Sequence, residues 1–385
     1  MKRIGTEKKE HFFKRIDHFL LLAVTFCAGM SVLMLYTMWD REITAEVDSN
    51  DWLVQLIAMG VGLVGCVAVA AMDYHKLAKL WFLYVPVALG LSALTFTSLG
   101  YGREGADDIA WVDFGFVQIQ PSEILKLVFL LTFSLHISKV SKRISQPLHL
   151  ILLGMHAAVP MGIVAVQGDY GTAIVFAAMT VTMLFAAGLS LWYFLGGLVL
   201  SPIAVWVLWT YVFGDVHRKR ILVLFNPGTD PLGLEYQPDL SIRAIRAGGL
   251  FGLGLHSEEG YVAVPEMHND FIFAFVGQAF GFVGAVAAIV LLAAIALRIF
   301  SDSRAAKDIM GRTICMGVFA IIFTHAVMNI GMVMKVMPVI GIPLPFLSAG
   351  GTAMVSMYLC IGLVISAYTH NWRKYRVFYD AEPES

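Results

Sequence analysis

FIFAFVGQAFGFVGAVAAIVLLAAIALRIF, residues 271–300, carries a single charge, Arg298, in thirty positions. A helix needs roughly 20 apolar residues to cross the ~30 Å hydrocarbon core of a bilayer, so this stretch reads as a membrane span. Nine other runs read the same way: Phe19 to Trp39, Leu53 to Met72, Leu80 to Leu99, Ser122 to Ile137, Leu148 to Val166, Gly171 to Leu189, Leu191 to Phe213, Arg312 to Val336 and Gly350 to Ala367. They predict an all-α polytopic membrane protein of about ten transmembrane helices, with one membrane domain over residues 19–367. Composition agrees, since 58% of the 385 residues are hydrophobic, 14% are charged and mean hydropathy is +0.74, which is not how soluble domains are built. Cys27, Cys66, Cys315 and Cys360 all fall in apolar runs and read as small buried hydrophobes. No disulfide framework, cysteine metal motif or nucleic-acid footprint is visible. The first apolar run follows basic residues but lacks a small-residue cleavage site, so it reads as the first span and not as a removable leader.

Lys and Arg set the orientation. With the N-terminus inside, the inner segments hold eighteen of them, and the short outer loops hold three, Arg41, Arg103 and Lys335. Both tails, residues 1–18 and 368–385, are therefore expected in the cytoplasm. Two connections, about 100–121 and 214–269, are expected on the outer side, the second being a long loop between helices 7 and 8. Long loops in compact proteins more often carry function than not. Within the second, GTDPLGLEYQ reads as turns, and SIRAIRAGGLFGLGL (241–255) begins as an amphipathic helix ending at Gly248 and Gly249, lying at the outer interface.

Ionisable groups at membrane depth are costly and usually face a protein interior or a water-filled cavity. In QPSEILKL (120–127), Pro121 suits a first helical turn, and Glu123 and Lys126 share one helix face. Glu123 could do no more than complement the helix dipole, whereas Lys126 needs a buried carboxylate or an anionic ligand. Asp169, in VQGDYGTA (166–173), is a candidate partner. VPEMHNDFIFAF (264–275) sets Glu266, His268 and Asp270 just before an apolar helix. A carboxylate at such a boundary can serve as a general base, and helix capping by Asn269 or Asp270 is the plainer reading. His217, Arg218, Lys219 and Arg220 could bind a pyrophosphate or simply snorkel to lipid phosphates. The segment NIGMVMKVMPVIGIPLPFLSAGG (329–351), with three prolines, reads as a re-entrant stretch or a tight corner. No Walker, GxSxG or HExxH motif is present.

As an ordered set, QPSEILKL, QGDYGTA, the basic cluster leading to DPLGLEYQ, PEMHNDFIFAF and the Pro-rich ninth connection resemble the SEDS family (shape, elongation, division and sporulation), of the RodA/FtsW/SpoVE type. The resemblance implies the ten-helix SEDS fold and a peptidoglycan glycosyltransferase that polymerises lipid II at the outer face of the bacterial cytoplasmic membrane. It implies Asp270 as the catalytic residue and Glu123, Lys126, Asp169 and Arg220 as cavity or substrate-binding residues, with Lys126 and Asp169 paired; Arg218 and Glu266 join them as candidates by their chemistry and place in the sequence. It also implies a divalent cation, Mg2+ or Mn2+, with ligands unassigned, and a class B penicillin-binding protein as partner within the cell-wall synthesis complex. The DPLGLEYQ loop and short tails lean toward the RodA side.

The sequence departs from the resembled pattern at five positions. Ala110 stands where Arg usually precedes Trp, Leu253 where the GxG holds a basic residue, Gln278 and Ala279 in place of an acidic pair, and Ala349 in place of Tyr. These changes bear on partner coupling and activity, not on the fold. Two other readings stand beside the enzyme: a flippase for lipid-linked precursors, suited by intramembrane charge and a broken helix, and a non-catalytic scaffold.

Overall fold

The computed structural model describes residues 16–102, 108–115, 118–257 and 260–370. The expected tails lie outside the described residues apart from their membrane-proximal ends. All ten expected segments are helical. In chain order, with the shorter elements included, they are α1 His18–Asp40, α2 Asp51–Ala71, α3 Tyr74–Lys79, α4 Trp81–Leu94, α5 Pro121–Val140, α6 Pro147–Val166, α7 Tyr170–Ala186, α8 Leu191–Val207, α9 Asp215–Phe225, α10 Tyr236–Ala247, α11 Ile272–Ala305, α12 Ile309–Val333 and α13 Gly351–His370. Eight of the helices are long and apolar enough to cross a membrane, α8 being prolonged by a π-helical turn, Leu208–Val212. The other two apolar helices, α4 and α7, are shorter, with 14 and 17 residues.

The most enclosed helices are α12 and α13, whereas no residue of α8 is buried. Lipid tails are as apolar as leucine, so helices in a bilayer associate by close approach. Small residues provide it where α2 meets α13: a Cβ on Gly62 would stand 2.7 Å from the Tyr358 ring, and one on Gly362 2.7 Å from the Cys66 carbonyl oxygen. Turns occupy residues 227–235 as expected, and α10 ends at Gly248.

Three features differ from the sequence expectation. The first outer connection builds a small antiparallel sheet, β1 Gly100–Tyr101, β2 Trp111–Asp113 and β3 Gln118–Ile119, with Val112 opposite both Gly100 and Ile119. The basic cluster after α8 lies on a helix, α9. And the span quoted first is not continuous: Gly281 adopts φ 67°, ψ −166° and breaks α11. The turn after α10 fills that break. Leu253 N–H donates to the Gln278 carbonyl (3.0 Å) and Gly254 N–H to that of Ala279 (2.9 Å), while Phe282 N–H donates to Gly249 O (2.9 Å). The departures at 253, 278 and 279 thus meet through main-chain atoms.

On the face expected to be cytoplasmic, α3 is latched to the start of α12. His75 Nε2 lies 2.6 Å from Asp308 Oδ2, Tyr74 Oη donates to Asp308 Oδ1 (2.7 Å), and Asp308 accepts from Gly311 N–H as the α12 N-cap (3.0 Å). The hydrogen bond to Asp308 raises the His75 pKa above its ordinary 6.5, against partial burial that pulls it down. A raised histidine pKa stabilises the fold fully below the unfolded value and loses that contribution as pH climbs through the folded value. Thermal unfolding of the detergent-solubilised protein is therefore expected to shift to lower temperature as pH rises above 6.5, and His75→Ala to flatten that dependence.

Candidate active site

The Pro-rich connection after α12 stays non-helical, so its backbone polar groups need partners from elsewhere. Neighbouring side chains supply them. Asn329 Nδ2 donates to Asp270 O (2.8 Å) and to Ile342 O (2.7 Å). His325 Nδ1 lies 3.1 Å from Pro343 O, Ser348 Oγ donates to Asn269 O (2.6 Å), and Gln55 Nε2 donates to Ser348 O (3.0 Å). Ala349 N–H closes the set on His268 O (2.9 Å). The same bonds that carry the irregular chain therefore hold residues 268–270 against it.

This packing leaves a cleft of about 180 Å³ whose walls include Asp169, Arg220, Glu266 and Asp270. Two glycines permit the approach. Gly341 has φ +63°, a conformation that disfavours a Cβ, and a Cβ there would stand 3.4 Å from Asp270 Oδ2. At the start of α7, a Cβ on Gly171 would meet Ile340 O at 2.8 Å, so that helix and its N-cap, Asp169, can seat beside the segment.

The structure separates the candidates. Helix capping does not account for Asp270: the N-cap of α11 is Phe271, with no side-chain cap bond. Asp270 is half-buried and faces the cleft, as does Glu266, which holds φ 57° while its N–H donates to Glu46 Oε2 (2.7 Å). Asp169 does cap, accepting from Thr172 N–H through Oδ1 (2.8 Å), while its Oδ2, in a residue only 8% exposed, has no hydrogen-bond partner among the described residues. Arg220 borders the cleft and donates from a terminal guanidinium nitrogen to Val339 O (3.3 Å).

Glu123 and Lys126 do not line the cleft; they lie buried, each 2% exposed. Lys126 Nζ is 2.8 Å from Glu123 Oε1 and 3.2 Å from His325 Nε2, and Ser356 Oγ donates to Glu123 Oε2 (2.5 Å). The expected Lys126–Asp169 ion pair is not formed: the i,i+3 carboxylate on its own helix claims the ammonium. Arg218 is also placed elsewhere. It turns back onto the Trp209 and Thr210 carbonyls (2.9 and 3.2 Å), capping the end of the preceding span, while His217 from the same cluster reaches the cleft. Asp108, Trp111, Gln120 and Gln237 line it too; the last three fall within or beside stretches singled out in the sequence, but none reads there as a cleft residue. Among the described residues, no three His, Cys, Asp or Glu side chains converge as a metal cage.

The FtsW/RodA/SpoVE family model, described as a cell cycle protein, matches residues 17–373. The chain belongs to this family. Among its relatives is the peptidoglycan glycosyltransferase MrdB of Escherichia coli K12, 33% identical over 370 residues and covering 94% of this chain and 96% of that protein. Stage V sporulation protein E of Bacillus subtilis 168 is 30% identical over 358 residues, 91% of this chain and 96% of that protein. A chain from a peptidoglycan synthase complex, whose structure concerns the coordination of polymerization and crosslinking, superposes with a TM-score of 0.78 at 25% identity, over 93% of this chain and 99% of its own. RodA, the rod shape determining protein of Thermus thermophilus, shares the fold with a TM-score of 0.67 at 22% identity, over 93% of this chain and 98% of its own. This family member is thus a multi-pass membrane protein with the RodA-like, SEDS fold.

Its cleft rests on Asn329. Asn329→Ala would remove the donor shared by the Asp270 and Ile342 carbonyls, a loss of about 1–3 kcal/mol. The unfolding midpoint in detergent is expected to fall well below wild type, whereas Phe323→Ala, at an exposed position on the same helix, is expected to stay near it.

Proposed function

We propose that the chain is a peptidoglycan glycosyltransferase that polymerises lipid II at the outer face of the bacterial cytoplasmic membrane, with both termini in the cytoplasm. The observation that carries this reading is the cleft itself, in which a non-capping carboxylate, Asp270, shares one set of walls with the guanidinium of Arg220. The names of the relatives, peptidoglycan glycosyltransferase among them, support the reaction class, and the Lys/Arg asymmetry supports the orientation.

In this reading Asp270 accepts the proton of the acceptor GlcNAc 4-hydroxyl as that oxygen bonds to the anomeric carbon of the donor. The bond from that carbon to the pyrophosphate breaks with inversion, and the lipid pyrophosphate leaves with the bonding pair. Arg220 neutralises charge on the departing group, where a planar guanidinium suits phosphate oxygens. Asp169 Oδ2 and Glu266, on the cleft walls, accept hydrogen bonds from sugar hydroxyl or amide groups in this reading. Lys126 acts at one remove, meeting His325 of α12 and holding Glu123, which accepts from Ser356 of α13. The polyprenyl tails remain in lipid while the sugars occupy the cleft. A class B penicillin-binding protein is the proposed partner, consistent with the synthase complex whose chain shares this fold.

The test is polymerisation of labelled lipid II by the purified full chain with that partner. Wild type is expected to make glycan polymer and Asp270→Asn at least about 100-fold less, the scale of a lost general base, with an unchanged unfolding midpoint. Equal output from both would overturn the assignment of Asp270, and accelerated lipid II transfer across vesicles without polymer would favour the flippase.

A further inference from the structure

A second hollow lies on another face of α5, walled by α4 and α6. Its volume is about 430 Å³, and it shares no lining residue with the cleft. From Leu125 to Lys139 its α5 wall runs about 21 Å at 1.5 Å per residue, most of a bilayer's ~30 Å core. Chemically it is ordered from end to end. Leu125, Val128, Phe129, Leu89 and Val159 make an apolar slot, and Lys139 stands at one end with Trp81, a residue type that favours the membrane–water boundary.

The polar atoms inside the slot are engaged with one another. Thr132 Oγ1 donates its proton to Val128 O (2.8 Å), which leaves the oxygen to accept from His156 Nε2 (3.2 Å). His156 then accepts at Nδ1 from His136 Nδ1, 3.2 Å away. One lone pair, on His136 Nε2, remains, and His136 precedes Lys139 by one helical turn. An apolar chain can therefore pass this pair without stranding a donor.

Charge at the Lys139 end has one sign. Lys142 and Arg143 follow, all three are exposed, and none forms an ion pair among the described residues. No Asp or Glu occurs between Glu123 and Asp169, nor between Asp73 and Leu99, and Asp73 is engaged with His75. Basic pockets between membrane helices suit anionic lipid headgroups.

We propose that this slot is a phospholipid-binding site for an anionic lipid of the leaflet on the Lys139 side, with its phosphate on Lys139 and one acyl chain along α5. The site is independent of the glycosyltransferase reading. To test it, the full chain is reconstituted in vesicles of equal parts phosphatidylcholine and phosphatidylglycerol and extracted in mild detergent. Its retained lipids are then counted by native mass spectrometry. Wild type is expected to retain phosphatidylglycerol in preference, and Lys139→Glu to reduce that preference about fivefold or more, the scale of one membrane-proximal cation. Lys142→Glu, one turn beyond the slot, is expected to stay near wild type. Val159→Trp, at an exposed wall position, is expected to reduce retention of either lipid. Retention by Lys139→Glu equal to wild type, a loss from Lys142→Glu as large as that from Lys139→Glu, or full retention by Val159→Trp would each overturn the proposal.

Discussion

A buried backbone amide or carbonyl needs a partner, and the non-helical connection between α12 and α13 buries a run of them. Everything around the cleft follows from how they are satisfied. Asn329 and His325 from α12, Gln55 from α2 and Ser348 from the connection itself converge on carbonyls of residues 269, 270, 342, 343 and 348. Because Asn329 bonds Asp270 and Ile342 at once, the carboxylate cannot drift away from the segment that faces it. In the proposed reaction, a carboxylate held on the same cleft walls as a guanidinium would combine proton abstraction with charge stabilisation.

Beneath the cleft, the buried group of Glu123, Lys126, His325 and Ser356 ties α5 to α12 and α13. A buried ion pair by itself adds little net stability, since desolvation offsets most of the attraction, but removing one partner leaves an uncompensated charge. Its contribution is better understood as registry: three helices have one relative position in which both carboxylate oxygens and the ammonium are satisfied. Since His325 also faces Pro343, that register extends to the cleft wall.

The spans were legible in the sequence because hydropathy summed over twenty residues survives errors at single positions. Asp169 was legible as a charge where charge is expensive, and Asp270 through the family resemblance; Glu123 and Lys126, singled out by the same charge argument, lie outside the cleft lining. Finer features were not. Strands of two and three residues give no alternation to read, and a break at Gly281 leaves an apolar run apolar. The partners of Lys126 and Glu123 outside α5 lie 199 and 233 residues away in the chain, so only the fold reveals them. Likewise, Arg218 and Arg220 look alike as letters, yet two positions on a helix point one at its own preceding turn and the other at the cleft.

The joint at Gly281 has a consequence for how this protein can vary. The turn after α10 is sewn to the two halves of α11 by amides and carbonyls of residues 249, 250, 253, 254, 278, 279, 282 and 283. Those atoms are the same whatever side chain is attached. Leu253, Gln278 and Ala279 can thus differ from their counterparts in relatives while the loop docks as before. At this seam, inheritance of shape is uncoupled from inheritance of letters, and the glycine that makes the bend is the position where the two stay joined.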